Sequence, residues 1–331
     1  MRYLHFLFSP FGNNKRKLVL GSLVLLSVNQ AWAGKKIDEI KDASPDSIVK
    51  IEHLSGEATI EGWDKNQVKV SGELGENTKD FQFTRDGKTI SIIVKVEKKN
   101  KKHWNYGHYE GDDLTIFVPK KSRVHYRTTN ADVGVSGILG GTNIDVINGN
   151  IRASELEGRI YLETVNGEVS ATKLSGDLVV DTVNGDIDIE HIAGKKIRVE
   201  AVNGDIQFDT SAADVNVETV NGDMQLIVNS AMDINMNTVN GSVDARLTLG
   251  DGAYVQASSV GGSIDLSFDE NIQASFDIES HAGGRIRNRL NDIEPQKAKY
   301  GPRRWLEFSI GEPTATVEVS TVNGRVTIEK K

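Results

Sequence analysis

An Asn-Gly signature recurs along most of this chain at a nearly constant interval, and a fixed interval restricts the fold more than any other feature of the sequence. It reads Ile147-Asn148-Gly149, Val165-Asn166-Gly167, Val183-Asn184-Gly185, Val202-Asn203-Gly204, Val220-Asn221-Gly222, Val239-Asn240-Gly241 and Val322-Asn323-Gly324. Degenerate copies stand at Thr129-Asn130-Ala131, Val260-Gly261-Gly262 and Ala282-Gly283-Gly284. Successive Asn-equivalent positions from 130 to 283 are separated by 18, 18, 18, 19, 18, 19, 21 and 22 residues.

Within each unit the third and fifth residues after Asn are mostly apolar, as in Ile187 and Ile189 or Ile206 and Phe208. A second alternating pair precedes the next Asn, as in Leu178 and Val180 or Ile197 and Val199. A period of two means strands. Glu157-Gly158, Ser175-Gly176 and Ala193-Gly194 mark one corner between the arms, and Asn-Gly marks the other, because both residues tolerate positive φ. A meander of antiparallel hairpins would also use Asn-Gly, but identical columns at one phase fit units stacked in parallel. The expectation is an all-β parallel β-solenoid of 18–19 residues per coil, right-handed by the default of parallel connections, with a β-rich N-terminal capping region. About nine coils from Asn130 onward would make a rod roughly 45 Å long.

Stacking also accounts for the column Thr164, Thr182, Thr219 and Thr238, and for the column Asn148, Asn166, Asn184, Asn203, Asn221 and Asn240, read as a structural amide ladder. Strand parity puts both columns on the core side and turns the valine between them outward.

The remaining segments read as follows. Residues 1–33 form a signal peptide: Lys15, Arg16 and Lys17 precede the apolar run Leu18 to Val28, and Ala31-Trp32-Ala33 offers a cleavage site. Residues 34–129 form the β-rich region or cap, with strands around Ala58–Ile60, Val68–Val70, Ile90–Val96 and Leu114–Val118 and a tight turn at Asp86-Gly87. The repeats occupy 130–286. Residues 287–331 hold an insertion with Pro295, Pro302 and Pro313, then a C-terminal coil or cap. The expected product is an extracytoplasmic protein of the periplasm or cell surface, with no transmembrane segment after cleavage.

The full chain carries a formal charge of −8 and no cysteine, which excludes disulfides, thiolate metal sites and a cysteine nucleophile. Residues 34–129 carry +2, 130–282 carry −18 and 283–331 carry +4. Two columns carry much of the acidic charge: Asp132, Glu168, Asp186, Asp205 and Asp223 after the Asn-Gly corner, and Glu163, Asp181, Glu200 and Glu218 before it. Bridging cations are one reading and a solvated face the other.

Basic residues mix with aromatics at Lys98, Lys99, Lys101, Lys102, Trp104, Tyr106 and Tyr109, and again at Arg303, Arg304 and Trp305 after Tyr300. Such mixtures bind anionic glycans or lipid headgroups, or else mark an exposed hairpin tip. Secretion and the acidic total disfavour nucleic acid. His103, His108 and Asp112 match no metal-site spacing, so neither metal nor cofactor is expected. No catalytic motif is present. A carboxylate pair hidden in the acidic columns would suit a polysaccharide lyase or hydrolase.

With the repeat established, the chain resembles the bacterial putative-adhesin β-strand-repeat family, a domain of unknown function in envelope-associated proteins. The resemblance rests on Gly56-Glu57-Ala58-Thr59-Ile60-Glu61-Gly62-Trp63-Asp64 followed by Val68-Lys69-Val70, on Leu114 to Pro119, and on the repeated Thr-Val-Asn-Gly-Asp-Ile, as in Thr182 to Ile187. It implies a β-solenoid and surface binding, and it transfers no catalytic residue. The leading expectation is a non-enzymatic envelope-binding or scaffold protein, whose partner is a glycan, a lipid headgroup or a protein. A polysaccharide-cleaving enzyme and a cation-stabilised rod are the alternatives.

Overall fold

A computed structural model describes residues 35–96 and 111–331. The leader at 1–33 and the basic-aromatic stretch 98–109, with Lys98, Lys99, Lys101, Lys102, Trp104, Tyr106 and Tyr109, lie outside the described residues. The described chain is all-β, 24 strands in one hydrogen-bonded network. Among the described residues no helix is long and apolar enough to cross a membrane.

The repeat becomes parallel pairing at the repeat interval. In one arm Ile160 faces Leu178, Leu178 faces Ile197, Ile197 faces Val215, Val215 faces Ile234 and Ile234 faces Val255. In the other, Val133, Ile151, Val169, Ile187, Ile206, Met224, Val243 and Ile264 follow one another in register. All these side chains are buried. They stack aliphatic on aliphatic along the interior, each contributing about 1.5–3 kcal/mol through burial. The alternating residues face water, which is why the arms read with period two.

The Asn-Gly corner departs from strict parity. Thr164, Thr182, Thr219 and Thr238 are buried, and Val183, Val202, Val220 and Val239 point outward, each about 40% exposed. The Asn residues that follow are exposed as well, so the expectation that they lie on the core side is corrected. The chain turns at that point and two successive side chains face solvent. Glycine follows for lack of room: a Cβ on Gly185 would overlap the carbonyl oxygen of Gly167, and one on Gly204 that of Gly185.

The stack reaches further toward the N-terminus than 130. The strand Ile48–Trp63 pairs in parallel with Arg123–Ser136 along nearly its whole length. The boundary read at 129/130 falls inside that second strand, and the one at 286/287 falls inside Arg285–Asn288. Residues 34–331 make one compact unit.

At both ends the stacking order differs from the chain order. Ile48–Trp63 lies between Arg123–Ser136 on one side and Thr89–Val96 with Asp112–Pro119 on the other. At the C-terminus, Ala315–Thr321 pairs with Tyr254 to Ser259 on one side and with Ala274–Ser280 on the other. The last unit is therefore threaded into the stack instead of being added to its end. The edges are closed by antiparallel strands. Gln67–Leu74 covers Asp112–Pro119, Thr78–Asp86 covers Thr89–Val96, and Arg304–Ile310 covers Ala274–Ser280. The outermost N-terminal strand, Lys35–Asp42, is mostly charged and exposed, which discourages edge-to-edge pairing.

Candidate functional site

Of the basic-aromatic residues expected to bind, Arg303, Arg304 and Trp305 lie at the covering strand Arg304–Ile310. That strand is held down by apolar contact: Phe308 stacks on Phe276 at 4.8 Å between ring centres, and Phe276 meets Phe268 edge-on at 5.5 Å. Leu306 is buried beneath it. The other side of the strand carries charge. Arg303 lies over the Trp305 ring at 5.3 Å and also bonds Glu279. Lys299 lies over Tyr300 at 5.3 Å, and Tyr300 is 84% exposed. Arg304 is half-buried and its Nε is unpartnered. The cap thus carries two cation-aromatic pairs close in the chain, Lys299 with exposed Tyr300 and Arg303 with half-buried Trp305. Sequence reasoning placed Arg303, Arg304 and Trp305 there and missed Lys299, although its position next to Tyr300 was a signal.

The Asn column is a continuous ladder. Asn148 donates to Asn130 at 2.7 Å, Asn166 to Asn148 at 2.8 Å, Asn184 to Asn166 at 2.9 Å, Asn203 to Asn184 at 2.9 Å, Asn221 to Asn203 at 2.8 Å and Asn240 to Asn221 at 3.0 Å. From Asn148 to Asn221 each side-chain amide is engaged in both directions, and Asn240 ends the ladder as a donor.

The two acidic columns differ. After the corner, Asp186, Asp205 and Asp223 each accept the backbone N–H of the equivalent residue in the next unit, at 2.9, 2.9 and 2.7 Å. Their carboxylates replace a strand-to-strand hydrogen bond at the turn. The other column, Glu163, Asp181, Glu200 and Glu218, forms one wall of a groove of about 580 Å³ whose other wall is Val183, Val202, Val220, Val239 and Val260. Burial, with Glu200 and Glu163 alongside, holds Asp181 above the ordinary carboxylate range. The Tyr161 hydroxyl bridges Glu163 at 2.8 Å and Asp181 at 3.1 Å.

One polar cluster is interior. His53 Nδ1 lies 3.0 Å from the Tyr126 hydroxyl and His53 Nε2 lies 3.2 Å from Asp112, whose other oxygen accepts from Thr78 at 2.6 Å and the Gly75 amide at 2.7 Å. Burial pushes the Asp112 carboxyl up, but these bonds outweigh it and leave it below the ordinary range. His53, Tyr126 and Asp112 are at most 3% exposed, and with Thr78 the cluster ties four strands together. Among the described residues, no group of three or more His, Cys, Asp or Glu side chains is placed to hold a metal ion.

These features define an all-β protein of parallel-stacked strand repeats. The chain belongs to the Toastrack DUF4097 family, whose match runs over residues 46–329. Among solved structures it is similar to a putative adhesin from Parabacteroides merdae ATCC 43184 at 12% identity, covering 90% of this chain and 97% of that one with a TM-score of 0.36. It is also similar to a putative lipid binding protein from Parabacteroides distasonis ATCC 8503, at 14% identity over 89% and 98% of the two chains with a TM-score of 0.32. No curated protein matches it.

Proposed function

We infer that this protein is a non-enzymatic, adhesin-like binding or scaffold component of the bacterial cell envelope, built as a right-handed parallel β-solenoid. The signal-like leader, read from Lys15 to Ala33, supports export to the periplasm or cell surface. In-register parallel pairing at the repeat interval supports the solenoid, and right-handed winding is the rule for parallel connections.

The observation that carries the reading is the two cation-aromatic pairs of the cap, Lys299 over the exposed Tyr300 and Arg303 over Trp305. Aromatic faces beside cations suit an envelope glycan or an anionic headgroup, and Trp305 stands on a strand whose packing fixes its place. Replacing the exposed Tyr300 and Arg303 together by alanine lowers the fraction of protein that pellets with envelope fractions. Unchanged pelleting would refute the assignment. Lys98, Lys99, Lys101 and Lys102 belong to the same reading as a second basic-aromatic contact, and their substitution lowers pelleting as well.

One observation favours a polysaccharide lyase or hydrolase as the alternative: Asp181, held above the ordinary carboxylate range, lies beside Glu163 and Glu200 in an elongated groove. Two neighbouring carboxyls, one of them raised, are the groups that glycoside cleavage uses. The row repeats with the units instead of converging on one bond, and this supports the binding reading. Release of reducing ends or unsaturated sugars that disappears in Asp181→Asn would establish the enzyme.

A further inference from the structure

A recess on the outward side of the first arm lies far along the chain from the cap and shares no residue with it. Arg123, Gly141 and Arg159 follow one another at intervals of eighteen residues, as do His125, Asn143 and Tyr161. Val124 and Ile160 both pair with Thr142, and His125 and Tyr161 both pair with Asn143. The six residues therefore form two adjacent columns three strands deep. The middle place in the first column has no side chain. Gly141 has φ +109°, and a Cβ there would stand 3.2 Å from the Arg159 carbonyl oxygen and 3.7 Å from Arg123 Cγ. The missing side chain opens a recess of about 520 Å³ between two arginines, lined also by His125, Asn143 and Tyr161.

Asp46 lies within the field of Arg123, but no carboxylate among the described residues closes an ion pair on the arginines of this recess. Neither Arg123 nor Arg159 has an ion-pair partner among the described residues. Surrounding carboxylates serve others: Asp145 pairs with Arg127 at 3.3 Å and Asp46 with Lys88 at 2.6 Å. Asp177, the register neighbour of Arg159, makes no ion pair with it. Tyr161 directs its hydroxyl to Glu163 and Asp181, leaving its ring as a wall. Burial, then the charges of Lys50 and Arg123 against that of Asp145, lowers the pKa of His125.

We propose that this recess binds a phosphate-bearing ligand. Two guanidiniums offer planar sets of donors suited to the oxygens of a phosphate, whether the free ion or a monoester, with a charge of about −1.5 to −2, or the singly charged diester of a lipid headgroup. The phosphate can arrive free or on a lipid headgroup, and two probes separate these sources.

Inorganic phosphate binding is measured by titration calorimetry, and binding to phosphatidylglycerol vesicles by flotation, with phosphatidylcholine vesicles as reference. Binding of phosphate itself, or of phosphatidylglycerol vesicles alone, supports the site and identifies the source. In Arg123→Gln/Arg159→Gln, whose replaced side chains are both exposed, that binding weakens at least about tenfold. In Arg285→Gln/Arg287→Gln, equally exposed on another strand, it is unchanged. The proposal fails if neither probe binds, if phosphatidylcholine vesicles bind as well as phosphatidylglycerol ones, or if both double variants lose affinity equally. Vesicle binding that survives Arg123→Gln/Arg159→Gln but is lost in Tyr300→Ala/Arg303→Ala would belong to the cap and would overturn the recess as the lipid site.

Discussion

Asn184 donates its side-chain amide to the amide oxygen of Asn166 at 2.9 Å and accepts that of Asn203 at the same distance. An exposed side chain thus links three successive units. Asn184→Ala removes both bonds, and at about 0.5–1.5 kcal/mol each the loss is about 1–3 kcal/mol. The midpoint of urea unfolding reads it directly. Unaltered stability would show that the ladder is a by-product of stacking.

The glycine beside that asparagine is more constrained. Gly185→Ala drives a methyl into the Gly167 carbonyl and forces two units apart, with a cost of about 3 kcal/mol or more. Gly87, at φ +58° in the turn between Thr78–Asp86 and Thr89–Val96, has open space where a Cβ would stand. Gly87→Ala therefore costs only the left-handed backbone penalty of about 1–2 kcal/mol. Equal thermal shifts in the two variants would contradict the close-packed corner.

The threaded C-terminus has a consequence for truncation. Residues 315–331 form an interior layer, paired on both sides. Their removal leaves Ala274–Ser280 without its parallel partner and exposes Tyr254 to Phe268 as an open edge. Amide exchange in residues 274–288 then rises to the level of the unfolded chain. A truncated protein that keeps its protection there would mean that the last unit is a simple end piece.

Acid sensitivity follows from His191 and Asp112. His191 is buried, with Nε2 2.8 Å from the Gly176 carbonyl and Nδ1 2.9 Å from the Thr210 hydroxyl, and burial lowers its pKa although the carbonyl favours the proton. The unfolded chain then takes up a proton that the folded protein refuses. This contribution is complete above the ordinary histidine value of about 6.5 and is lost as pH falls from there toward the folded-state value. Asp112, also lowered, adds stability above the ordinary aspartate range that disappears on further acidification. Melting temperatures fall from pH 8 to pH 5, less steeply in His191→Gln. An identical slope in that variant would rule out His191 as the source.

The units were legible because each repeats its own pattern: the alternation of Ile187 and Ile189 or Leu178 and Val180, and the Asn-Gly corner, are local. The family resemblance stood on equally local motifs such as Gly56 to Asp64. Stacking order was not legible at the ends, because parallel pairing requires matching register and not chain adjacency, and Val317 fits beside Val255 as well as a following unit would. The outward turn of Asn was hidden because a corner breaks strand parity. The recess escaped notice because Arg123 and Arg159 meet only across a third strand. Their shared spacing about Gly141 was the signal that an outward column at the repeat interval would have revealed.

The most direct test of envelope binding is co-sedimentation of residues 34–331 with cell-envelope fractions at low and high salt, with released sugar assayed in the supernatant. Binding through exposed cations predicts pelleting that weakens as salt rises, with no sugar released. Absence of pelleting at either salt would contradict the account, and released sugar would replace it with the enzymatic one.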